Sequence, residues 1–100
     1  MKSMFNYVNR ENDLCEVLID DKRETAYVLN TNTLEVFKTN HVDGTYGLLS
    51  FINEDIDHIY EIKMNQLEHA LRFMEDNDCT EDCPVLYKIF SGAWLDMKGE

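Results

Sequence analysis

Residues 75–83, EDNDCTEDC, place five carboxylates and two cysteines within nine positions. Such a stretch could bind a metal ion, close a disulfide or simply carry negative charge. A structural zinc site usually combines one C-x2-4-C pair with a second pair of ligands elsewhere. Cys79 and Cys83 form one such pair, but the remaining candidates are scattered along the chain: Cys15, His41, His58 and His69. We therefore predict no metal site and no cofactor.

The two cysteines of this stretch could also pair with each other. A Cys79–Cys83 disulfide would close a very small loop and would need an oxidising compartment. Residues 1–13 lack the continuous apolar stretch of a signal peptide, which favours a cytoplasmic protein. Reduced thiols at a turn, with Cys83 directed inward, are the prediction, although spacing alone leaves a disulfide or a shared metal open.

The alternating oxygens of the same stretch resemble a calcium loop only superficially. In a loop that starts at Asp76, position six is Glu81, where an EF-hand requires glycine. Position twelve is Tyr87, where a bidentate glutamate belongs. An EF-hand is therefore excluded.

Signatures of catalysis are missing from the sequence. It has no G-x-S-x-G elbow and no glycine-rich phosphate loop. Carboxylates are so numerous that no acid/base pair of the glycosidase kind stands out. We predict that the protein is not an enzyme.

Net charge is the outstanding property, because 20 acidic residues face nine basic ones, for a net of −11. The excess is concentrated in residues 54–82, where ten carboxylates accompany only Lys63 and Arg72. The ten are Glu54, Asp55, Asp57, Glu61, Glu68, Glu75, Asp76, Asp78, Glu81 and Asp82. Such charge disfavours direct binding to nucleic acid or to an anionic membrane and favours a basic partner.

Hydrophobic patterning predicts one α+β domain, a mostly antiparallel sheet of about four to five strands with one principal helix. Strands are predicted by β-branched and aromatic residues at 14–20, 24–30, 33–39, 58–64 and 84–90. Residues 46–52 fit either a further strand or a short helix with Leu48, Leu49 and Ile52 on one face.

The principal helix is predicted over residues 66–77. Asn65 is a suitable N-cap, and Glu68 could complete a capping box. One apolar face follows from the spacing of Leu67, Ala70, Leu71 and Met74. Trp94 is expected to pack against the core.

The ten carboxylates would then form a surface that imitates the phosphates of nucleic acid. We expect a small inhibitor that occupies the nucleic-acid site of a basic nucleic-acid-binding protein or nuclease, as phage anti-CRISPR and anti-restriction proteins do. Aromatic anchors near the patch would be Tyr46, Tyr60, Tyr87 and Trp94. Alternatives are an immunity protein that neutralises a nuclease toxin, and a regulatory or assembly module that docks or self-associates through an apolar surface.

Overall fold

Five antiparallel strands and three α-helices make up the described part of the chain. The computed structural model describes residues 2–20, 22–23, 25–40 and 44–99. The elements are β1 (Lys2–Asn9), β2 (Leu14–Asp20), β3 (Thr25–Asn30), β4 (Val36–Asn40), α1 (Gly44–Asp55), β5 (Ile56–Ile62), α2 (Met64–Asp76) and α3 (Pro84–Lys98). The order across the sheet is β4-β3-β2-β1-β5. The predicted α+β class is confirmed.

Alternation along the strands directs one set of side chains toward the helices. Tyr7 pairs with Cys15, and Val17 pairs with Val28, so that these four buried residues form the floor of the core. Phe37 continues this face onto β4, where its ring stacks on Phe51 of α1 at a centroid distance of 4.2 Å. The helices therefore cover a single face of the sheet.

The structure has five strands, as many as the predicted segments, but several of their positions differ from the prediction. β2 has the predicted bounds, and β3 is confirmed from Thr25 onward. β4 begins only at Val36, because residues 31–35 form a turn in which Leu34 adopts φ 66°. β5 lies two residues before the predicted 58–64. β1 was not predicted at all.

Residues 44–55 form a helix, so the helical alternative for residues 46–52 is confirmed. Leu48, Leu49 and Ile52 are buried on one face, as that alternative required. α2 also exists but begins at Met64, which makes the predicted cap wrong. Lys63 occupies the N-cap position without a side-chain hydrogen bond, and Asn65 lies inside the helix.

The predicted strand at 84–90 is wrong, because residues 84–98 form α3. Pro84 occupies the first turn, where its missing N–H costs nothing. Leu86 and Phe90 are fully buried four residues apart, which is the helical period. Trp94 continues that face and packs against the core as predicted, while Lys98 Nζ lies 4.4 Å from its ring centroid.

Candidate partner-binding surface

One end of the molecule collects the C-terminal ends of α1 and α2, the N-terminal end of α3, and the β1–β2 and β3–β4 turns. Three hydrogen bonds between distant segments hold these parts together. The Arg10 amide donates to the Asp55 carbonyl at 2.9 Å, and the Leu86 amide donates to Asn53 Oδ1 at 2.9 Å. Asn32 Nδ2 donates to Asp13 Oδ1 at 2.8 Å.

Eight of the ten predicted carboxylates lie on the elements that meet there, and we call this region the acidic end. They are Glu54, Asp55, Asp57, Glu75, Asp76, Asp78, Glu81 and Asp82. The other two are separated from it. Glu61 pairs with Asn6 towards the far end of the β1–β5 ladder, and Glu68 lies in the first half of α2, about 10 Å from Glu75 along the helix axis.

Three carboxylates that were not predicted complete the acidic end. Glu11 and Asp13 come from the β1–β2 turn, and Glu35 comes from the β3–β4 turn. These turns reach α1 only because of the strand order, which the charge pattern alone does not reveal. Asp13 is held by both amides of the neighbouring turn, Asn30 Nδ2 at 3.1 Å and Asn32 Nδ2 at 2.8 Å.

Arg10 is a basic residue of this end, and its side chain forms hydrogen bonds with the backbone. Nε donates to the Ile56 carbonyl at 3.4 Å, and Nη2 lies 3.5 Å from the Asn53 carbonyl. These carbonyl groups lie at the junction of α1 and β5, and the end of α1 is also a position where the helix dipole favours a positive charge. Arg10 thus fastens the turn to α1.

Asp55 differs from the other predicted carboxylates because it is turned inward. Its Oδ2 accepts a 2.7 Å hydrogen bond from the hydroxyl of Tyr7, which is completely buried. Desolvation, together with this bond, raises the pKa of Tyr7 far above its ordinary value and keeps the phenol protonated. Asp55 therefore has a structural contact, whereas the other nine predicted carboxylates are exposed.

Residues 75–83, EDNDCTEDC, form the end of α2 and the turn that leads to α3. Asp78 adopts φ 54° in the turn after α2, and the Cys79 amide donates to the Met74 carbonyl at 2.8 Å. Cys79 and Cys83 are buried free thiols, which confirms the inward placement of Cys83. Burial raises the pKa of the Cys83 thiol. The cysteines consequently line the core, and the carboxylates between them face solvent.

Metal-binding geometry is not found at this end. Within residues 2–20, 22–23, 25–40 and 44–99, no group of three or more His, Cys, Asp or Glu side chains could hold an ion. His41, one of the scattered candidate ligands, lies outside the described residues. His58 Nδ1 lies 2.8 Å from Asp57 Oδ2, and both side chains are exposed.

The proposed aromatic anchors are distributed unevenly. Tyr87 is half-buried in the first turn of α3, next to the acidic end. Tyr60 is 63% exposed on β5, an edge strand. Trp94 lies about two turns farther along α3 than Tyr87, and the side chain of Tyr46 lies outside the described residues. Tyr87 is therefore the anchor best placed for a partner at the acidic end.

Five of the nine basic residues lie at the opposite end. They are Lys2, Lys22, Arg23, Lys63 and Lys98. Asp20 and Asp96 lie at the same end, and Asp20 Oδ2 is 3.9 Å from Arg23 Nε. This end therefore carries charges of both signs, whereas carboxylates predominate at the acidic end.

Comparisons with protein families, with curated proteins and with solved structures find nothing that matches this chain. Among the described helices, none combines the length and apolar character needed to cross a membrane.

Proposed function

We propose that the protein is a non-enzymatic inhibitor whose acidic end binds a basic nucleic-acid-binding protein or nuclease and blocks its nucleic-acid site. The observation that supports this proposal is the convergence of carboxylates from five separate segments on one end of the molecule. Residues 10–13, 31–35, 54–57, 75–78 and 81–82 contribute to it.

The positions of the helix-terminal carboxylates strengthen the proposal. Glu54 and the pair Glu75 and Asp76 occupy the last turns of α1 and α2, and neither turn contains a basic residue. The helix dipole opposes negative charge there by a few tenths of a kcal/mol each. Glu81 and Asp82 precede α3, where the dipole favours them. Local stability therefore explains Glu81 and Asp82 but not the other three, and a contact role explains all five.

The physical mechanism is electrostatic. Duplex DNA carries one charge per about 1.7 Å of axis, and its binding channels are lined with Lys and Arg. Carboxylates fixed on helix ends and on hydrogen-bonded turns present comparable charge without being reordered on binding. The charge would steer association, and Tyr87 would contribute buried contact area.

Inhibitors of this kind include phage proteins that act against CRISPR or restriction nucleases, and immunity proteins that neutralise a nuclease toxin. We place the chain with the first group on the basis of its size and charge, and keep the immunity protein as the alternative. The identity of the captured partner distinguishes the two.

A regulatory or assembly module remains a second candidate, because an apolar groove lies between β5 and α3. Ile59, Val85, Ile89 and Ala93 line this groove, and its volume is about 610 Å³. Sedimentation at several protein concentrations tests it, since self-association that buries the groove would favour the module.

The test of the inhibitor begins with capture of the partner from the native host and continues with competition against duplex DNA. Two double variants with the same change in net charge then separate the effect of the position of the carboxylates on binding from the effect of net charge. Glu75→Lys/Asp76→Lys alters the acidic end, and Glu61→Lys/Glu68→Lys makes the same change in charge outside it. We expect the first variant to lower the association rate by about tenfold at low salt and the second to lower it far less. Equal effects, or binding that hardly depends on salt, would contradict the mechanism.

A further inference from the structure

A cavity of about 490 Å³ opens on the helical side of the sheet. α1 packs mainly on β3 and β4, α3 packs on β5, and α2 packs on α3. The cavity lies where β1 begins and β2 ends, beside Phe5, whose ring centroid lies 5.6 Å from that of Phe90 in α3. Met4, Val17 and Ile19 contribute to the floor there, and Leu49 of α1 and Ala70 of α2 contribute to the walls.

Three hydrogen-bond donors line the same cavity, and all of them reach solvent. They are Lys2 of β1 and Gln66 and His69 of α2. Gln66 and His69 are three residues apart, so they share one face of the helix. Among the residues that the structure describes, no carboxylate lines the cavity, and none lies within ion-pair distance of Lys2 Nζ.

This composition is the reverse of that of the molecule as a whole. The chain carries a net charge of −11, yet the described polar groups at the rim of its apolar cavity are an ammonium group, an amide and an imidazole. A hydrocarbon tail would gain free energy by replacing water against the apolar walls. A carboxylate at the rim would form charge-assisted hydrogen bonds with the lysine.

We propose that this cavity binds an aliphatic carboxylate, with its tail between α1 and α2 and its head group at Lys2 and Gln66. The volume falls within the range of about 300–1,000 Å³ that is usual for small-molecule sites. The cavity lies at the end of the molecule opposite the acidic end, so this proposal is independent of partner binding at the acidic end.

Two amphiphiles with the same tail and opposite charge test the proposal. Dodecanoate and dodecyltrimethylammonium are titrated calorimetrically into the full chain, below their micelle-forming concentrations. Because the protein is strongly acidic, non-specific binding would favour the cation. We expect one dodecanoate per chain, bound about tenfold or more tightly than the cation. Equal affinities, preference for the cation or no binding would overturn the proposal. If the absence of binding were accompanied by concentration-dependent dimerisation, a second copy of the chain would be the occupant of the cavity.

Substitutions then locate the site. Lys2→Ala should weaken dodecanoate binding by about tenfold, whereas Lys63→Ala, which removes a charge at the same end but outside the cavity, should leave it unchanged. Ala70→Phe should fill the cavity and abolish binding, with circular dichroism showing that the fold is intact. If that variant does not fold, the two lysine variants still decide. Equal losses for Lys2→Ala and Lys63→Ala would overturn the assignment.

Discussion

The hydroxyl of Tyr7 in β1 donates a 2.7 Å hydrogen bond to Oδ2 of Asp55, the last residue of α1. The two residues are 48 positions apart, and Tyr7 is completely buried. The bond therefore joins the central part of the sheet to the end of a helix. It also explains how a carboxylate of the acidic end can be directed into the protein.

Tyr7→Phe should lower the free energy of unfolding by about 2 kcal/mol, because Asp55 then loses its donor in a partly buried position. Urea unfolding measures this change. Asp55→Asn should cost less, since an amide oxygen can still accept from the phenol.

A double-mutant cycle with Asp55→Ala separates the hydrogen bond from the loss of packing. We expect a coupling free energy of about 1–2 kcal/mol between the two positions. Additive effects would show that the bond contributes nothing to stability.

Cys15 should make stability fall at alkaline pH. Burial, and secondarily the charge of Asp55, raises the pKa of its thiol from 9.0 to about 11. Between these two values the unfolded chain releases the thiol proton while the folded chain retains it, so rising pH favours unfolding. Urea unfolding between about pH 8 and 11 should therefore show a steeper loss for the native chain than for Cys15→Ala, by up to ~1.4 kcal/mol per pH unit. Parallel curves would contradict the buried, protonated thiol.

Asn53 should act as the cap of a helix to which it does not belong. Cys83, at the N-cap of α3, makes no side-chain capping bond, and the Leu86 amide instead donates to Asn53 Oδ1 at 2.9 Å. Asn53→Ala should therefore cost about 1 kcal/mol of stability, as the loss of an N-cap does. Asn65→Ala is the comparison variant. Asn65 Oδ1 accepts from the Gln66 amide at 2.9 Å, but that amide also donates to the Lys63 carbonyl at 3.1 Å, so the substitution leaves no amide unpaired and should cost less. A larger loss for Asn65→Ala would restore the predicted cap.

A strand could be predicted from the sequence where the residue types within the strand and in the adjacent turn were sufficient to indicate it. β2 has the predicted bounds because LCEVLID is rich in large apolar residues and is followed by the polar residues of the β2–β3 turn. α3 could not be predicted in the same way. Its first seven residues are rich in Val, Tyr, Ile and Phe, and so short an apolar run fits a strand as well as a helix. Fifteen residues had to be considered together to recognise the spacing of Leu86, Phe90 and Trp94.

The candidate surface was predictable only in part, for a different reason. The tract from Glu54 to Asp82 is visible as a run of charge, but its spatial arrangement depends on the fold. α2 carries Glu68 away from the end that receives Glu75, and the sheet brings Glu11 and Glu35 to that end from the first half of the chain. The rise of the helix accounts for Glu68, whereas long-range strand pairing determines where Glu11 and Glu35 lie, and no local pattern encodes that pairing.

Gly92 gives a direct test of α3. The residue lies inside the helix, and a Cβ atom there would meet no atom within 4 Å. Gly92→Ala should therefore raise the free energy of unfolding by about 0.5–1 kcal/mol, because alanine loses less backbone entropy in a helix. Gly99→Ala is the control, since its Cβ would lie 3.0 Å from the Leu95 carbonyl oxygen and should give no gain. The alternative is the predicted strand at 84–90, which residues 91–94 would end. In that case Gly92→Ala would bring neither stabilisation nor an increase in helical circular dichroism. Urea unfolding of the two glycine variants therefore distinguishes the helix from the strand.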